Sequence, residues 1–199
     1  MLTLKSSLSC ARYIAESLLP LLFWVMLIFG FDTPDIAILT ILSAVLHELG
    51  HLWAAMMTKR LGALRGHLSG FRIRLSSSGY TEEIIVLAAG PLANLAIFLA
   101  LLPLSRLADG YFMLIGYINL LSALSNLLPI EGYDGYGILR VIFEWRNSQN
   151  ALRALWITSF TLTLAFMVIS LYIILRYGSG YWIFGVFFAT LLAKIKKLL

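Results

Sequence analysis

Long apolar stretches alternate with short polar segments along most of the chain. Six of these stretches predict helices that cross a membrane, whose hydrocarbon core is spanned by about 20 residues of helix. They cover residues 13–31, 35–58, 84–104, 111–128, 155–175 and 181–193. The pattern therefore predicts an all-α, polytopic membrane protein in which residues 1–199 form a single membrane-embedded domain.

The segment between the second and third predicted helices has a different pattern. Its apolar residues alternate with arginines in the order Phe71, Arg72, Ile73, Arg74, Leu75. This two-residue period is typical of a β-strand, and the surrounding glycines favour turns. The segment therefore predicts a short membrane-associated β-hairpin or edge strand, with an ordinary basic loop as the alternative.

The overall composition agrees with residence in a membrane. Hydrophobic residues make up 60% of the chain, charged residues 13%, and the mean hydropathy is +0.89. A soluble domain of this size needs more polar surface than that. The net charge of +5 does not indicate nucleic acid, so the partner that we expect is the lipid bilayer. The lone cysteine, Cys10, excludes an internal disulfide bond.

The basic residues predict how the helices are oriented. Of the 15 lysines and arginines, all but Arg106 and Arg176 fall in alternate connections or near the chain ends. Because basic residues concentrate in cytoplasmic loops, both termini are expected in the cytoplasm, as is the polar segment 140–153. No small-residue cleavage site follows the first apolar stretch, so we expect a multi-pass protein, located in a bacterial cell membrane.

One apolar stretch carries a pattern typical of zinc enzymes. His47-Glu48-Leu49-Gly50-His51 lies in a run, residues 36–57, that has no formal charge except Glu48. Histidines four residues apart share one helix face and can bind one zinc ion, and the glutamate can act as general base on a water molecule. An ionisable group near the bilayer centre costs roughly 2.5–3.5 kcal/mol, so such groups usually have a function. The alternatives are a chance motif or a polar patch that joins two helices.

A catalytic zinc ion takes three protein ligands and leaves one position open. Four side chains are candidates for the third ligand: His67, Asp109, Glu131 and Asp134. The predicted topology puts Asp109 on the opposite side of the membrane, and His67 falls in the predicted strand region, where a surface position is expected. Glu131 and Asp134 both follow the fourth predicted helix, where several glycines predict a break. The residues alone leave both open, as ligands or as solvated loop acids.

Three motifs together resemble the site-2 protease family of intramembrane zinc metalloproteases, in a core-only form without a PDZ or CBS domain. They are His47-Glu48-Leu49-Gly50-His51, Gly90-Pro91-Leu92-Ala93-Asn94, and Asn126-Leu127-Leu128-Pro129 followed by Asp134-Gly135. The resemblance covers residues 35–140, the expected catalytic core. It leaves the fifth and sixth predicted helices, over residues 155–193, without an assigned role.

The resemblance implies a role for each motif. By similarity to the family, His47, His51 and Asp134 bind one zinc ion per chain, and Glu48 is the catalytic base. Asn94 and Asn126 would lie near the substrate backbone or the oxyanion, unless they only bond neighbouring helices. The implied reaction is the hydrolysis of peptide bonds within or near transmembrane segments of membrane-protein substrates, as in regulated intramembrane proteolysis.

The resemblance also implies partners. Residues 71–75 look like the family's re-entrant β-loop, whose edge would hold an unwound substrate by β-augmentation, and a regulatory membrane partner is a further expectation. Two other functions are open: a metal-binding membrane transporter, and an inactive relative that acts as a scaffold for membrane helices. A transport site needs no general base such as Glu48, and all the implied catalytic residue types are present. Both points favour the protease.

Overall fold

A computed structural model describes residues 34–58, 64–67, 70–73, 79–106, 110–178 and 180–196. These residues contain six α-helices, a short 3₁₀ turn at Pro103–Arg106 and two strands. The helices are α1 (Pro34–Met57), α2 (Tyr80–Leu101), α3 (Tyr111–Asn126), α4 (Asp134–Trp145), α5 (Gln149–Tyr177) and α6 (Tyr181–Lys196). The strands are β1 (Leu64–His67) and β2 (Gly70–Ile73). The helix expected over residues 13–31 lies outside the described residues.

Three of the described helices are long and apolar enough to cross a membrane: α1, α2 and α5. α3 has 16 residues, and the apolar part of α6 is the shorter segment Ile183–Ile195. Large apolar side chains are exposed on these helices, including Trp53, Leu92 and Leu175. Such exposure is what lipid contact requires, because lipid tails impose no cost on an apolar surface.

The two strands lie between α1 and α2. They pair antiparallel, with Leu64 opposite Ile73 and His67 opposite Gly70. β2 lies beside α1. Within the predicted strand Phe71–Leu75, the first three residues belong to β2, and the last two lie outside the described residues.

The polar segment 140–153 is largely helical and is not a loop. α4 occupies Asp134–Trp145, and α5 begins at Gln149, earlier than the apolar run alone predicts. The physical reason is that α4 is amphipathic. Val141 is buried while Arg140 and Glu144 remain exposed. Because such charged residues interrupt the apolar ones along the sequence, the helix does not appear as a continuous apolar run.

α1 and α2 pack closely because small residues lie between them. The buried cluster at this contact consists of Ala54, Ala55 and Val86. A Cβ placed on Gly50 would lie 2.7 Å from the carbonyl oxygen of Ala89, closer than non-bonded atoms approach. Glycine at this position therefore allows the two helix backbones to meet within the His-Glu-x-x-His motif.

α2 is the central element, in contact with α1, α3 and α4. At its polar end, Glu83 forms an ion pair with Arg140 of α4 at 3.3 Å, and Tyr80 stacks on Trp145. α5 contacts α4 on one side and α6 on the other. This order brings the first turn of α4 against the middle of α1.

Candidate metal centre

Three side chains from two helices converge near the middle of α1. His47 and His51 lie on one face of α1, and Asp134 is the first residue of α4. The Nε2 atoms of the two histidines are 3.1 Å apart. Asp134 Oδ2 lies 3.0 Å from His47 Nε2 and 3.4 Å from His51 Nε2. Both histidines are buried and Asp134 is half-buried.

These distances suit a metal ion. In a tetrahedral zinc site with bonds of about 2.0–2.1 Å, neighbouring ligand atoms are about 3.3 Å apart. The three ligand atoms are separated by distances close to this value. Two imidazoles and one carboxylate are also a donor set typical of catalytic zinc, and their single negative charge lowers the cost of holding a divalent cation in a medium of low dielectric. The group formed by His47, His51 and Asp134 can therefore hold a metal ion.

The room for an ion depends on Gly90 in α2. A Cβ on Gly90 would lie 2.7 Å from Nε2 of His47 and even closer to Nε2 of His51. Any side chain at this position would fill the space between the two ligand atoms. Gly90 is itself buried, so at this position α2 presents backbone and no side chain to the two imidazoles.

The ring of His51 is held in one orientation by α2. Its Nδ1 lies 2.7 Å from the carbonyl oxygen of Val86, which can only accept a hydrogen. The hydrogen of the neutral ring is therefore on Nδ1, and the lone pair of Nε2 points to the other two ligands. A backbone carbonyl that fixes the tautomer in this way is a common outer partner of a metal-bound histidine.

The ring of His47 has Asn94 as its outer neighbour. Asn94 is fully buried, with its Nδ2 3.5 Å from His47 Nδ1 and 2.8 Å from the hydroxyl oxygen of Ser122. Its Oδ1 is buried and has no hydrogen-bond partner among the described residues. Turning the amide by 180° would let the oxygen accept from His47 Nδ1–H and from the Ser122 hydroxyl, which is the arrangement expected when Nε2 binds a metal.

Asp134 reaches the site because the chain turns sharply between α3 and α4. The backbone N–H of Tyr133 donates to the carbonyl of Ile130 at 3.0 Å, and the side chain of Ile130 is buried. Gly135 approaches the carbonyl of Leu127 so closely that a Cβ would overlap it. The turn thus places the start of α4, and with it the third ligand, against α1.

The other predicted site residues have different positions. Glu48 is half-buried on α1, directly after His47. Asn126 is half-buried at the end of α3, where its Nδ2 donates to the carbonyl of Ser122 at 3.0 Å. The metal-binding group found among the described residues contains Asp134 and not Glu131. Of the weaker candidates, His67 lies in β1 and Asp109 lies outside the described residues.

Two contributors to the centre have no signal in the residue types alone. The carbonyl of Val86 is a backbone group, which any residue at that position would supply. Ser122 can be recognised as a partner of Asn94 only when α3 is known to pack against α2. The role of Gly90 is different, because a glycine four residues before the buried Asn94 places both on the same face of α2.

Comparisons with known proteins bear on the fold and on the class of protein that this chain resembles. No protein-family model matches the chain. A Synechocystis sp. protein named as a candidate zinc metalloprotease is 32% identical over 132 residues, which cover 62% of this chain and 35% of that protein. The chain thus spans about a third of the length of this relative.

Among solved structures, the site-2 protease from Methanocaldococcus jannaschii matches with a TM-score of 0.65. The match covers 88% of this chain and 84% of that one, at 22% sequence identity. The chain therefore has the fold of a site-2 protease, and its resemblance to the site-2 protease family is confirmed.

Proposed function

We propose that this chain is an intramembrane zinc metalloprotease, which hydrolyses peptide bonds within or near the transmembrane segments of membrane-protein substrates. The observation that carries the proposal is the meeting of Asp134 with His47 and His51, which lie beside Glu48 on a helix long enough to cross a membrane. The names of the Synechocystis and Methanocaldococcus jannaschii proteins support the same class of reaction.

The proposed chemistry assigns one task to each polar side chain. When bound, zinc supplies Lewis-acid chemistry, which makes a water molecule a nucleophile near neutral pH. Glu48 takes a proton from that water and later gives it to the leaving amine. Neither histidine can replace Glu48 in this task, because both Nε2 atoms face the metal position, His51 Nδ1 is bonded to the carbonyl of Val86, and His47 Nδ1 faces the buried amide of Asn94.

The site lies at membrane depth in this proposal. His47 comes 13 residues after Pro34 and ten before Met57 in α1 (47 − 34 and 57 − 47), so it is about 20 Å from the start of the helix at about 1.5 Å per residue. A peptide bond cleaved here lies inside the bilayer. Since lipid offers no hydrogen bonds, the buried polar groups of α1, α2 and α3 must provide the polar surroundings of the reaction.

The substrate must be unwound before hydrolysis, because the carbonyls of a helix are engaged in its own hydrogen bonds. β2 lies beside α1, and we propose that residues 71–75 hold the substrate as an additional strand. Asn94 and Asn126 remain the proposed partners of the substrate backbone or the oxyanion. For Asn126 this would require its amide to leave the carbonyl of Ser122.

We propose the multi-pass topology with both termini in the cytoplasm, in a bacterial cell membrane. The support is the distribution of basic residues. In this orientation the C-terminal end of α1 faces the cytoplasm. The proposed zinc ligands and β2 then lie toward the cytoplasmic half of the membrane. A regulatory membrane partner belongs to the same proposal.

Co-expression with a panel of single-span membrane proteins tests the proposed reaction. The intact protein is compared with Glu48→Gln, in which the side chain keeps its shape but cannot accept a proton from water. We expect the variant to retain zinc and to lose about 10²–10⁴-fold in cleavage rate. Unchanged cleavage by Glu48→Gln, in detergent with added zinc, would overturn the proposal.

A ligand variant separates the three functions. His47→Ala should lose both zinc and cleavage, whereas Glu48→Gln should lose cleavage alone. A transporter would tolerate Glu48→Gln better than a lost ligand, and a scaffold would keep its binding partners in both variants. Transport of zinc by the Glu48→Gln protein at the wild-type rate would favour the first of these alternatives.

A further inference from the structure

A buried lysine connects α6 with α5. The charge distribution along the sequence places Lys194 among the cytoplasmic basic residues, whereas the structure leaves only 2% of it exposed. Its Nζ donates to Ser159 Oγ at 2.6 Å and to Thr163 Oγ1 at 2.9 Å, both on α5. A buried ammonium is tolerated only when its hydrogens are bonded, so these hydroxyls fix α6 against α5.

Ser159 extends this connection to the turn between α3 and α4. Its Oγ also accepts the backbone N–H of Glu131 at 2.7 Å, so one oxygen is shared by Lys194 and Glu131. A hydroxyl has two acceptor positions, and both are used here. Thr163 donates its own hydrogen to the carbonyl of Ser159 at 2.7 Å, which turns its lone pairs to the ammonium. Ser159 and Thr163 are both fully buried.

The anchored amide lies three residues before Asp134. The carbonyl of Ile130 accepts the N–H of Tyr133 at 3.0 Å, and the carbonyl of Tyr133 accepts the N–H of Gly137 at 3.2 Å. The chain from Ile130 to Gly137 is therefore one hydrogen-bonded unit. A displacement of the Glu131 amide would move this unit and change the distance from Asp134 to the two imidazoles.

We infer that Lys194 is a positioning residue for the metal ligand Asp134, acting through Ser159 and the amide of Glu131. α5 and α6 supply no atom to the ligand group itself. Their contribution is to hold the third ligand in place. A charged donor makes a shorter and stronger hydrogen bond than a neutral one, and the 2.6 Å bond to Ser159 has this character. The inference rests on the proposed function only in requiring that the centre bind zinc, not that the chain cleave peptides.

Zinc affinity of the full chain in detergent, measured by competition with a chelator, tests the inference. All variants carry Glu48→Gln, so that hydrolysis plays no part in the result. Ser159→Ala removes the shared oxygen, and Lys194→Met removes the ammonium but keeps most of the apolar stem. Each change is expected to weaken zinc binding about tenfold, the lower end of the range for outer partners of metal ligands.

The matched control is Thr190→Val. Thr190 lies one turn before Lys194 on α6, and its hydroxyl donates to the carbonyl of Val186 in the same helix at 2.8 Å. The change therefore removes a hydroxyl from α6 without touching the connection to Asp134. We expect this variant to bind zinc with wild-type affinity. A loss equal to that of Ser159→Ala would show general loosening of α6 and overturn the inference.

Two further measurements separate positioning from simple helix packing. Because Lys194 acts through Ser159, the double variant should lose no more affinity than Ser159→Ala alone; two losses that add would overturn the inference. The visible spectrum of the Co²⁺-loaded protein, which reports ligand geometry, should change in Ser159→Ala and not in Thr190→Val. Ser159→Ala keeps the inference falsifiable even where Lys194→Met does not fold, because this variant lacks the contact through which Lys194 is inferred to act, and an unchanged zinc affinity would overturn the inference.

The two proposals fail in different ways. Wild-type zinc affinity and an unchanged cobalt spectrum in Ser159→Ala would end the role assigned to Lys194, whatever the protease activity. If the metal effects appear as expected while the intact chain cleaves no substrate, the proposed function fails and the role of Lys194 stands.

Discussion

Replacing Gly90 by alanine is expected to reduce metal binding without unfolding the protein. The new methyl group would occupy the space beside Nε2 of both His47 and His51. Overpacking of this kind costs about 1–3 kcal/mol, and a cost of that size borne by the metal-bound form corresponds to a loss of about 5- to 150-fold in zinc affinity. Chelator competition on the purified variant measures the loss.

Gly116→Ala in α3 is the control for this change. A Cβ at Gly116 would lie 3.4 Å from Phe98 Cδ2, which is ordinary contact, and alanine favours a helix over glycine. Zinc affinity should therefore stay at the wild-type level. If Gly90→Ala binds zinc as tightly as Gly116→Ala, the ion does not occupy the position beside Gly90.

The third ligand is tested by a pair of acidic residues on the same turn. Asp134→Asn should lower zinc content strongly, because a neutral amide replaces the carboxylate that lies 3.0 Å and 3.4 Å from the histidine nitrogens. Glu131→Gln should leave zinc content unchanged, because the residue contributes its backbone amide and is absent from the ligand group. Metal analysis of both proteins after gel filtration gives the answer. The opposite result would move the ligand role to Glu131.

The residues of the candidate metal centre differ in how well the sequence alone predicts their roles. His47 and His51 could be predicted because a four-residue spacing on an apolar helix has few other uses. The choice between Glu131 and Asp134 came from family resemblance, since their distance in space depends on the fold of the turn. The outer partner of His51 could not be predicted at all, because a backbone carbonyl leaves no trace in residue type.

At the scale of elements, helices that contact lipid and helices that contact protein were not equally predictable. α1, α2 and α5 are long and predominantly apolar, so hydropathy alone finds them. α4 has a single apolar face against the bundle and charged residues such as Arg140 on the other side. A search for continuous apolar runs misses such a helix, although it carries Asp134.

The proposed role of β2 predicts cross-linking to the substrate. With Cys10 replaced by serine, a cysteine at Ile73 should form a disulfide with a cysteine near the cleavage site of a bound substrate. The reason is that an added strand lies about 4.8 Å from its neighbour. A cysteine at Leu175, exposed at the end of α5, is the control and should not react. Equal cross-linking at both positions would remove the substrate-holding role of β2.

At the scale of the whole molecule, the topology can be mapped by cysteine labelling in intact cells. Cysteines at Arg65 and Arg146 should react only after the membrane is permeabilised, and one at Ser179 should react from outside. The basis is the segregation of 13 of the 15 basic residues (15 less Arg106 and Arg176). If the cysteine at Arg65 were labelled from outside, the expected topology would be inverted. The proposed protease would then release its products on the opposite side of the membrane.

Lys194 shows the limit of reading topology from charge. Next to Lys196 and Lys197 it looks like part of a basic tail, yet it is buried between α5 and α6. Without Lys194, the basic residues expected in the cytoplasm still outnumber Arg106 and Arg176, the two expected on the other side. The orientation is therefore insensitive to this one residue, whereas the assignment of a role to α5 and α6 depends on it.

The close contact at Gly50 has a consequence for the route by which a substrate arrives. Under the proposed function, a transmembrane substrate would have to pass between helices to reach the metal ligands. The seam between α1 and α2 is closed to it, because their backbones already touch where Gly50 meets Ala89. Among the described residues, α2 covers one flank of α1 and β2 lies beside α1, so under the proposed function we expect substrate entry on the flank of α1 that α2 does not cover. Substitutions that change side-chain size on that flank of α1 should therefore alter which membrane segments are cleaved, whereas substitutions at the contact between α1 and α2 should not.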